Sequence, residues 1–294
     1  MLKEMCLGTA MWGWSVDEAE ALKILDIFYS AGGRYIDTAF NYPINTDPRK
    51  LSFSSKLISC WLRTRKVADL KVIFKFGSVD NSLGTPPNLT ESYIESMYEF
   101  ANNRFGGNIY SMMIHWDDRK NRSEISSTLD KLKNISSQFS FRVGLSGIKE
   151  ISLYQTALVD LKLIDIDHQV KHSFLMDDVD SFSFSSCRLW AYGISGSGLK
   201  LDETEYRRDS YVKLVRPASF HSEQFRRVNV DLVREFIENS NLVDNLYEYS
   251  MLVKEKDERF FGYIVAPSSS NQMKKICEFR SRWNNCLSVN SENS

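Results

Sequence analysis

Short β-rich segments alternate with helical segments along nearly the whole chain, and this alternation limits the fold more than any other feature. A helix between two strands carries the chain back to the same end, so successive strands lie parallel. With 294 residues, the pattern predicts an α/β fold, a closed (β/α)8 TIM barrel. The predicted strands are Met5–Thr9, Arg34–Thr38, Lys71–Phe76, Asn108–His115, Phe141–Leu145, Leu163–Val170, Arg188–Tyr192 and Phe261–Ala266.

An open doubly wound sheet is the alternative architecture. The turn after the first strand, Gly8 to Gly13, lacks the G-x-G-x-x-G spacing of a dinucleotide-binding sheet. No linker divides the chain, which favours one domain over residues 1–294, with a polar tail from about residue 287.

Composition excludes several classes of protein. The formal net charge of −1 gives no basic footprint for nucleic acid, and no apolar run is long enough to span a bilayer. The N-terminal apolar stretch is too short for a secretory signal. The five cysteines are odd in number and form no metal-like pairs. We therefore predict reduced thiols, a cytoplasmic location and no metal site.

Four polar residues stand where apolar strands end or just beyond. Asp37 ends the second strand and Tyr42 follows it; Lys75 lies in Val72–Phe76, and His115 ends the fourth strand. The carboxyl ends of parallel strands share one edge of a barrel, the edge where such enzymes place their chemistry.

These residue types suit general acid-base catalysis. A lysine in an apolar strand needs a carboxylate partner, and Asp37 is the natural one. A cation favours the phenolate, so Lys75 is expected to lower the pKa of Tyr42 and make it an acid-base group. His115 can orient the oxygen that is protonated. A structural ion pair inside a barrel is the alternative for Lys75.

The same segments resemble the aldo-keto reductase family in the expected order. The matching motifs begin with Gly8-Thr9, Asp37-Thr38-Ala39 with Asn41-Tyr42, Lys75-Phe76-Gly77 and Ile114-His115-Trp116. Looser matches follow at Val143–Ser146, Asp167–Val170, Ala191-Tyr192, Gly198-Leu199 and Pro267–Ser269 with Gln272.

The resemblance implies a TIM barrel that binds NADP(H) without a Rossmann domain. It assigns the proton donor to Tyr42, its supporting pair to Lys75 and Asp37, and substrate orientation to His115. It assigns the cofactor's carboxamide to Ser146 and Gln169 and the nicotinamide ring to Tyr192. The remaining cofactor-binding residues are Gly8, Thr9, Asp37, Gly198 and Leu199, with Ser268, Ser269 and Gln272 near the adenosine phosphate.

Two departures from the family pattern concern the cofactor. Gly147 stands where the family commonly has asparagine, and Asn271 and Gln272 stand where a basic residue often meets the 2′-phosphate. NAD(H) therefore stays an alternative to NADP(H). For Ser268 to Ser270, a plain helix N-cap is the alternative interpretation.

The leading hypothesis is an NAD(P)H-dependent carbonyl reductase acting on a small molecule. The alternatives are a non-catalytic cofactor-binding relative and a Schiff-base aldolase that uses Lys75. Aromatic and acidic residues predicted at the rim suggest a sugar or nucleotide-sugar carbonyl; these are Trp12, Trp14, Phe40, Trp116, Asp117 and Asp118. The sequence does not indicate the oligomeric state.

Overall fold

The computed structural model describes residues 2–82, 84–176, 179, 187–206, 217–226 and 228–292. Its centre is a closed barrel of parallel strands that pair in chain order, and β8 pairs with β1. The predicted barrel is thus confirmed. The strands are β1 (Glu4–Gly8), β2 (Tyr35–Ala39), β3 (Lys71–Gly77), β4 (Ile109–Asp117), β5 (Arg142–Ile148), β6 (Asp167–Lys171), β7 (Arg188–Tyr192) and β8 (Phe260–Val265).

Helices surround the barrel, and none in the described ranges is long and apolar enough to cross a membrane. They bury apolar side chains against the outer face of the strands. The helices of this layer are α1 (Glu18–Ser30), α2 (Phe53–Arg65), α3 (Glu91–Phe105), α4 (Arg122–Phe139), α5 (Ile151–Asp160), α6 (Phe220–Phe225), α7 (Val230–Asn239), α8 (Leu246–Lys256) and α9 (Ser270–Glu292).

The predicted start of the sixth strand was wrong for a local reason. β6 begins at Asp167 rather than Leu163, because Lys162 and Asp165 have positive φ angles that interrupt an extended chain. α4 continues to Phe139, and Ile135 in its last turns is buried against the core. α9 continues to Glu292, into the tail that was predicted to be polar, since no glycine or proline ends it.

Residues 220–226 and 228–256 contain α6, α7 and α8. Asn229 separates α6 from α7, because its side chain accepts a hydrogen bond from the N–H of Leu232 and caps α7. Residues 207–216 of the long loop after β7 lie outside the described residues.

Alternation along each strand sorts side chains into an outer and an inner set. In β3, Val72, Phe74 and Phe76 pack against helices, whereas Ile73 faces the barrel interior. Lys75 has the same parity as Ile73 and so points inward. The middle of the barrel is filled by a small apolar cluster of Cys6, Tyr35, Ile73, Met113, Trp190 and Ile264.

The N-terminal ends of the strands are closed by aromatic rings and cations. Tyr35 packs with its ring centroid 5.0 Å from those of both Tyr110 and Trp190. The Arg188 guanidinium lies 5.0 Å from the centroid of Phe261. Side chains of the barrel itself fill this end, because four of these groups are the first or second residue of their strands: Tyr35, Tyr110, Arg188 and Phe261.

Gly262 offers a test of the packing between β8 and its neighbours. A Cβ there would lie 2.4 Å from the Glu4 carbonyl oxygen and 2.6 Å from the Trp190 ring. We expect Gly262→Ala to lower the free energy of unfolding by about 1–3 kcal/mol, because backbone on one side cannot yield. Gly107→Ala, which has nothing within 4 Å, is the matched control. Equal denaturant midpoints for the two variants would contradict this account.

Candidate active site

The inward side chains at the C-terminal ends of the strands form one polar layer. Strand pairing sets His115 beside Ser146 and Ser146 beside Gln169. Gly8 of β1 pairs with Asp37. This layer joins residues that are far apart in the chain and have a common inward parity. Its members are Asp37, Lys75, His115, Ser146, Gln169 and Tyr192, and Tyr42 is added by the loop after β2.

Lys75 is buried and uses its ammonium hydrogens on three acceptors. Its Nζ lies 2.8 Å from Asp37 Oδ1, 2.7 Å from Tyr42 Oη and 3.3 Å from Gln169 Oε1. Gln169 Nε2 donates in turn to Asp37 Oδ2 at 2.6 Å. Burial alone would lower the pKa of Lys75, but attraction to Asp37 and Tyr42 raises it above its ordinary value. The lysine is therefore held as a cation.

Tyr42 accepts a hydrogen bond from Lys75, which leaves its own hydroxyl hydrogen for another acceptor. The expected net effect on its pKa was wrong in sign. Burial raises the pKa of Tyr42 and outweighs the lowering by Lys75, and Asp37 also raises it. Desolvation disfavours a phenolate more strongly than one shared cation favours it. The phenol consequently keeps its proton at neutral pH.

His115 lies edge-on to Tyr42, with 5.8 Å between the ring centroids. Its Nδ1 is buried without a hydrogen-bond partner among the described residues. Burial, and then the charge of Lys75, hold the pKa of His115 well below its usual range. The imidazole is therefore neutral and can donate or accept one hydrogen bond toward a group beside Tyr42.

The other residues expected at the nicotinamide end also lie in this layer. Ser146 is buried, and Tyr192 is half-buried, where burial raises the pKa of its phenol. Thr9 donates from Oγ1 to the Asp37 carbonyl oxygen at 2.9 Å. Gln169 also hydrogen-bonds Lys75 and Asp37, and these two contacts were not predicted from the sequence. The sequence feature that could have predicted these contacts is the position of Gln169, which faces inward on β6.

Two loops lie where the rest of a dinucleotide was expected. After β7, the N–H of Gly198 bonds Ser195 Oγ at 3.1 Å, and Leu199 is buried beside it. After β8, Ser268, Ser269 and Gln272 bond one another at the start of α9. The N-cap interpretation therefore describes Ser269, whose Oγ accepts from the N–H of Gln272.

Two residues predicted at the rim are inside the protein. Trp12 is 1% exposed and belongs to the core between barrel and helices. Asp117, also 1% exposed, accepts from Arg119 and from Tyr154 Oη at 2.6 Å. A carboxylate with these partners does not serve a substrate. Trp14 and Asp118 are exposed, and Phe40 and Trp116 are half-buried.

The described residues fit a reduced nicotinamide at the barrel mouth. Tyr42 has a hydroxyl proton that Lys75 does not use, and His115 has a buried ring nitrogen without a hydrogen-bond partner among the described residues. These two side chains and the half-buried ring of Tyr192 face one region. Ser146 and the second N–H of Gln169 would hold the carboxamide, and Tyr192 the ring. The reduced nicotinamide would supply a hydride, and the protein would orient the reactants and supply a proton.

The depressed pKa of His115 predicts its titration behaviour. We expect its ring proton shifts to stay constant as pH falls through about 6.5, where an ordinary histidine titrates. The unfolded chain binds the extra proton below about pH 6.5, so this residue destabilises the fold as pH falls through that value. Proton NMR assigned with His115→Gln checks this. A midpoint near 6.5 for His115 would contradict the burial argument.

A model of a known protein family matches most of this chain. The sequence model described as "Aldo/keto reductase family" matches residues 4–194, well over half of the chain. The match runs from β1 to β7 and contains the whole polar layer, while the α9 start lies beyond it. A comparison with curated proteins gave no match. On the extent of the family match, together with the closed barrel, the chain belongs to the aldo/keto reductase family.

Proposed function

We propose that this oxidoreductase reduces the carbonyl of a small molecule to an alcohol, using NAD(P)H as hydride donor and Tyr42 as proton donor. The observation that supports it is the contact of a protonated Tyr42 with a buried, fully hydrogen-bonded Lys75. The family supports the class of reaction. The roles of individual residues are our proposal.

Tyr42 would hold its proton on Oη until negative charge develops on the substrate oxygen. An alkoxide is a far stronger base than a phenolate, so a raised pKa of Tyr42 does not prevent this transfer. After transfer, the phenolate would be stabilised by Lys75 Nζ at 2.7 Å. Asp37 would keep the lysine charged and in place.

His115 would orient the carbonyl oxygen toward Tyr42. A neutral imidazole adds no charge beside Lys75, so it does not compete with Tyr42 for the role of acid. Its edge-on contact with Tyr42 sets the two groups on one side of the mouth. This arrangement supports hydrogen bonding to the same substrate oxygen from both residues.

The Schiff-base alternative is not favoured. A nucleophilic lysine must lose its proton, and Lys75 has a raised pKa and donates to three acceptors. The non-catalytic alternative does not account for a buried ion pair that holds Tyr42 at the mouth. Absence of borohydride trapping at Lys75 with a carbonyl compound would separate reduction from aldol chemistry.

For the substrate, we propose a polyhydroxylated carbonyl compound such as a sugar or nucleotide sugar. Asp118 is exposed after β4 and can accept hydroxyl protons, and Trp116 and Trp14 can pack against C–H faces. Asp117, committed to Arg119 and Tyr154, is excluded from this role.

Replacing Tyr42 with phenylalanine tests the proton donor. We expect kcat to fall roughly 10²- to 10⁴-fold, because the change removes a general acid, while the dissociation constant of the reduced cofactor stays nearly constant. Tyr29→Phe is the matched control, since its hydroxyl bonds Asp69 on the surface. Near-normal turnover of Tyr42→Phe would refute the assignment.

A substrate panel tests the second proposal. Aldoses and nucleotide sugars should be reduced with a higher kcat/KM than benzaldehydes, and Asp118→Asn should lower kcat/KM for the hydroxylated compounds alone. Activity confined to aromatic aldehydes, with unchanged kinetics of Asp118→Asn, would remove the sugar from the proposal.

A further inference from the structure

Three backbone N–H groups at the start of α9 already donate to side chains of this protein. The N–H of Ser268 donates to Gln272 Oε1 at 2.8 Å, and the N–H of Gln272 donates to Ser269 Oγ at 3.2 Å. The N–H of Ser270 donates to the carboxylate of Glu20, which comes from α1, 250 residues away in the chain. An acidic side chain thus stands on the helix start.

Glu20 is held in this place by rigid elements. Asp17 caps the N-terminus of α1, and its side chain accepts from the N–H of Glu20 at 2.8 Å. The opposite face of α1 buries Ala21, Ile24, Leu25 and Phe28. The hydrogen bond from Ser270 lowers the pKa of Glu20, so the group is a carboxylate at neutral pH. Lys23 lies 3.7 Å from it but is 66% exposed, and solvent screens such a pair.

The position of this carboxylate matters because of the barrel's geometry. The loop after the last strand of a TIM barrel, followed by a helix N-terminus, is a frequent phosphate site, since free N–H groups and the helix dipole attract anions. In this protein the Glu20 carboxylate accepts a hydrogen bond from the N–H of Ser270, so that donor is not free for a phosphate, and a negative charge is added beside it. NADPH differs from NADH by one 2′-phosphate, which replaces a ribose hydroxyl. A carboxylate repels that phosphate and accepts a hydrogen bond from the hydroxyl.

We propose that Glu20 makes this enzyme select NAD(H) over NADP(H). The inference rests on the proposed function, because it takes the cofactor's nicotinamide to lie at Tyr42 and Tyr192 and its adenosine end at the start of α9. It reverses the choice that the family resemblance implied. Glu20 is outside the residues matched to the cofactor by motif, and the α9 start lies beyond the family match.

Binding titrations with both reduced cofactors test the inference without turnover. We expect the wild-type protein to bind NADH at least about tenfold more tightly than NADPH, because a carboxylate at the start of α9 would repel the added phosphate dianion. Glu20→Gln keeps an acceptor for Ser270 and removes the charge. It should tighten NADPH binding at least about tenfold and change NADH binding less than about threefold.

Glu18→Gln is the matched control, because it removes the same charge from an exposed site in the first turn of α1. It should leave the ratio of the two dissociation constants unchanged. Thermal midpoints of both variants establish that they fold. If Glu20→Gln does not fold, competition of adenosine 2′,5′-bisphosphate and 5′-AMP against NADH on the wild-type protein decides, and the bisphosphate should compete more weakly.

Three results would overturn the inference: tighter NADPH binding by the wild-type protein, an equal shift of both cofactors in Glu20→Gln, or no binding of either cofactor. The proposed function fails separately. Selective NADH binding without reduction of any carbonyl compound would refute the function and leave the cofactor inference standing. Reduction of a carbonyl compound with NADPH as the better donor would refute the cofactor inference and leave the proposed function standing.

Discussion

The structure of the site depends on one buried ammonium group. An isolated charge inside a protein is unstable, and Lys75 is tolerated because its hydrogens meet Asp37, Tyr42 and Gln169. The same bonds fix the direction of each partner. Tyr42 can only accept from the lysine, so its own proton is left for another acceptor, and Gln169 is oriented by donating to Asp37. One requirement of electrostatics thereby arranges three side chains for chemistry.

The barrel separates this polar layer from the rest of its interior. Below it lies the apolar cluster that contains Ile73 and Met113, and Tyr110 and Arg188 close the N-terminal end beyond it. The apolar layer excludes water from one side of Lys75, which strengthens its bonds and raises the pKa of Tyr42. Stability and chemistry are therefore assigned to opposite ends of the same strands.

Much of this could be predicted from residue patterns. Strand parity and the order of polar residues predicted the barrel and the meeting of Asp37, Tyr42 and Lys75, because parallel strands bring their carboxyl ends together. The start of the sixth strand failed because positive φ angles, as at Asp165, decided it. The pKa of Tyr42 was misjudged because burial depth is absent from the sequence.

The sequence by itself determined the fold and the identity of the polar layer, since periodicity fixes which side chains share a face and which strand ends are polar. Tertiary structure alone decided which polar side chains are already hydrogen-bonded to residues distant in the sequence. Asp117 is withdrawn from the rim by Arg119 and Tyr154, and Glu20 reaches Ser270 across the whole length of the chain. Contacts of this kind depend on distances between elements distant in sequence, and no local pattern records them.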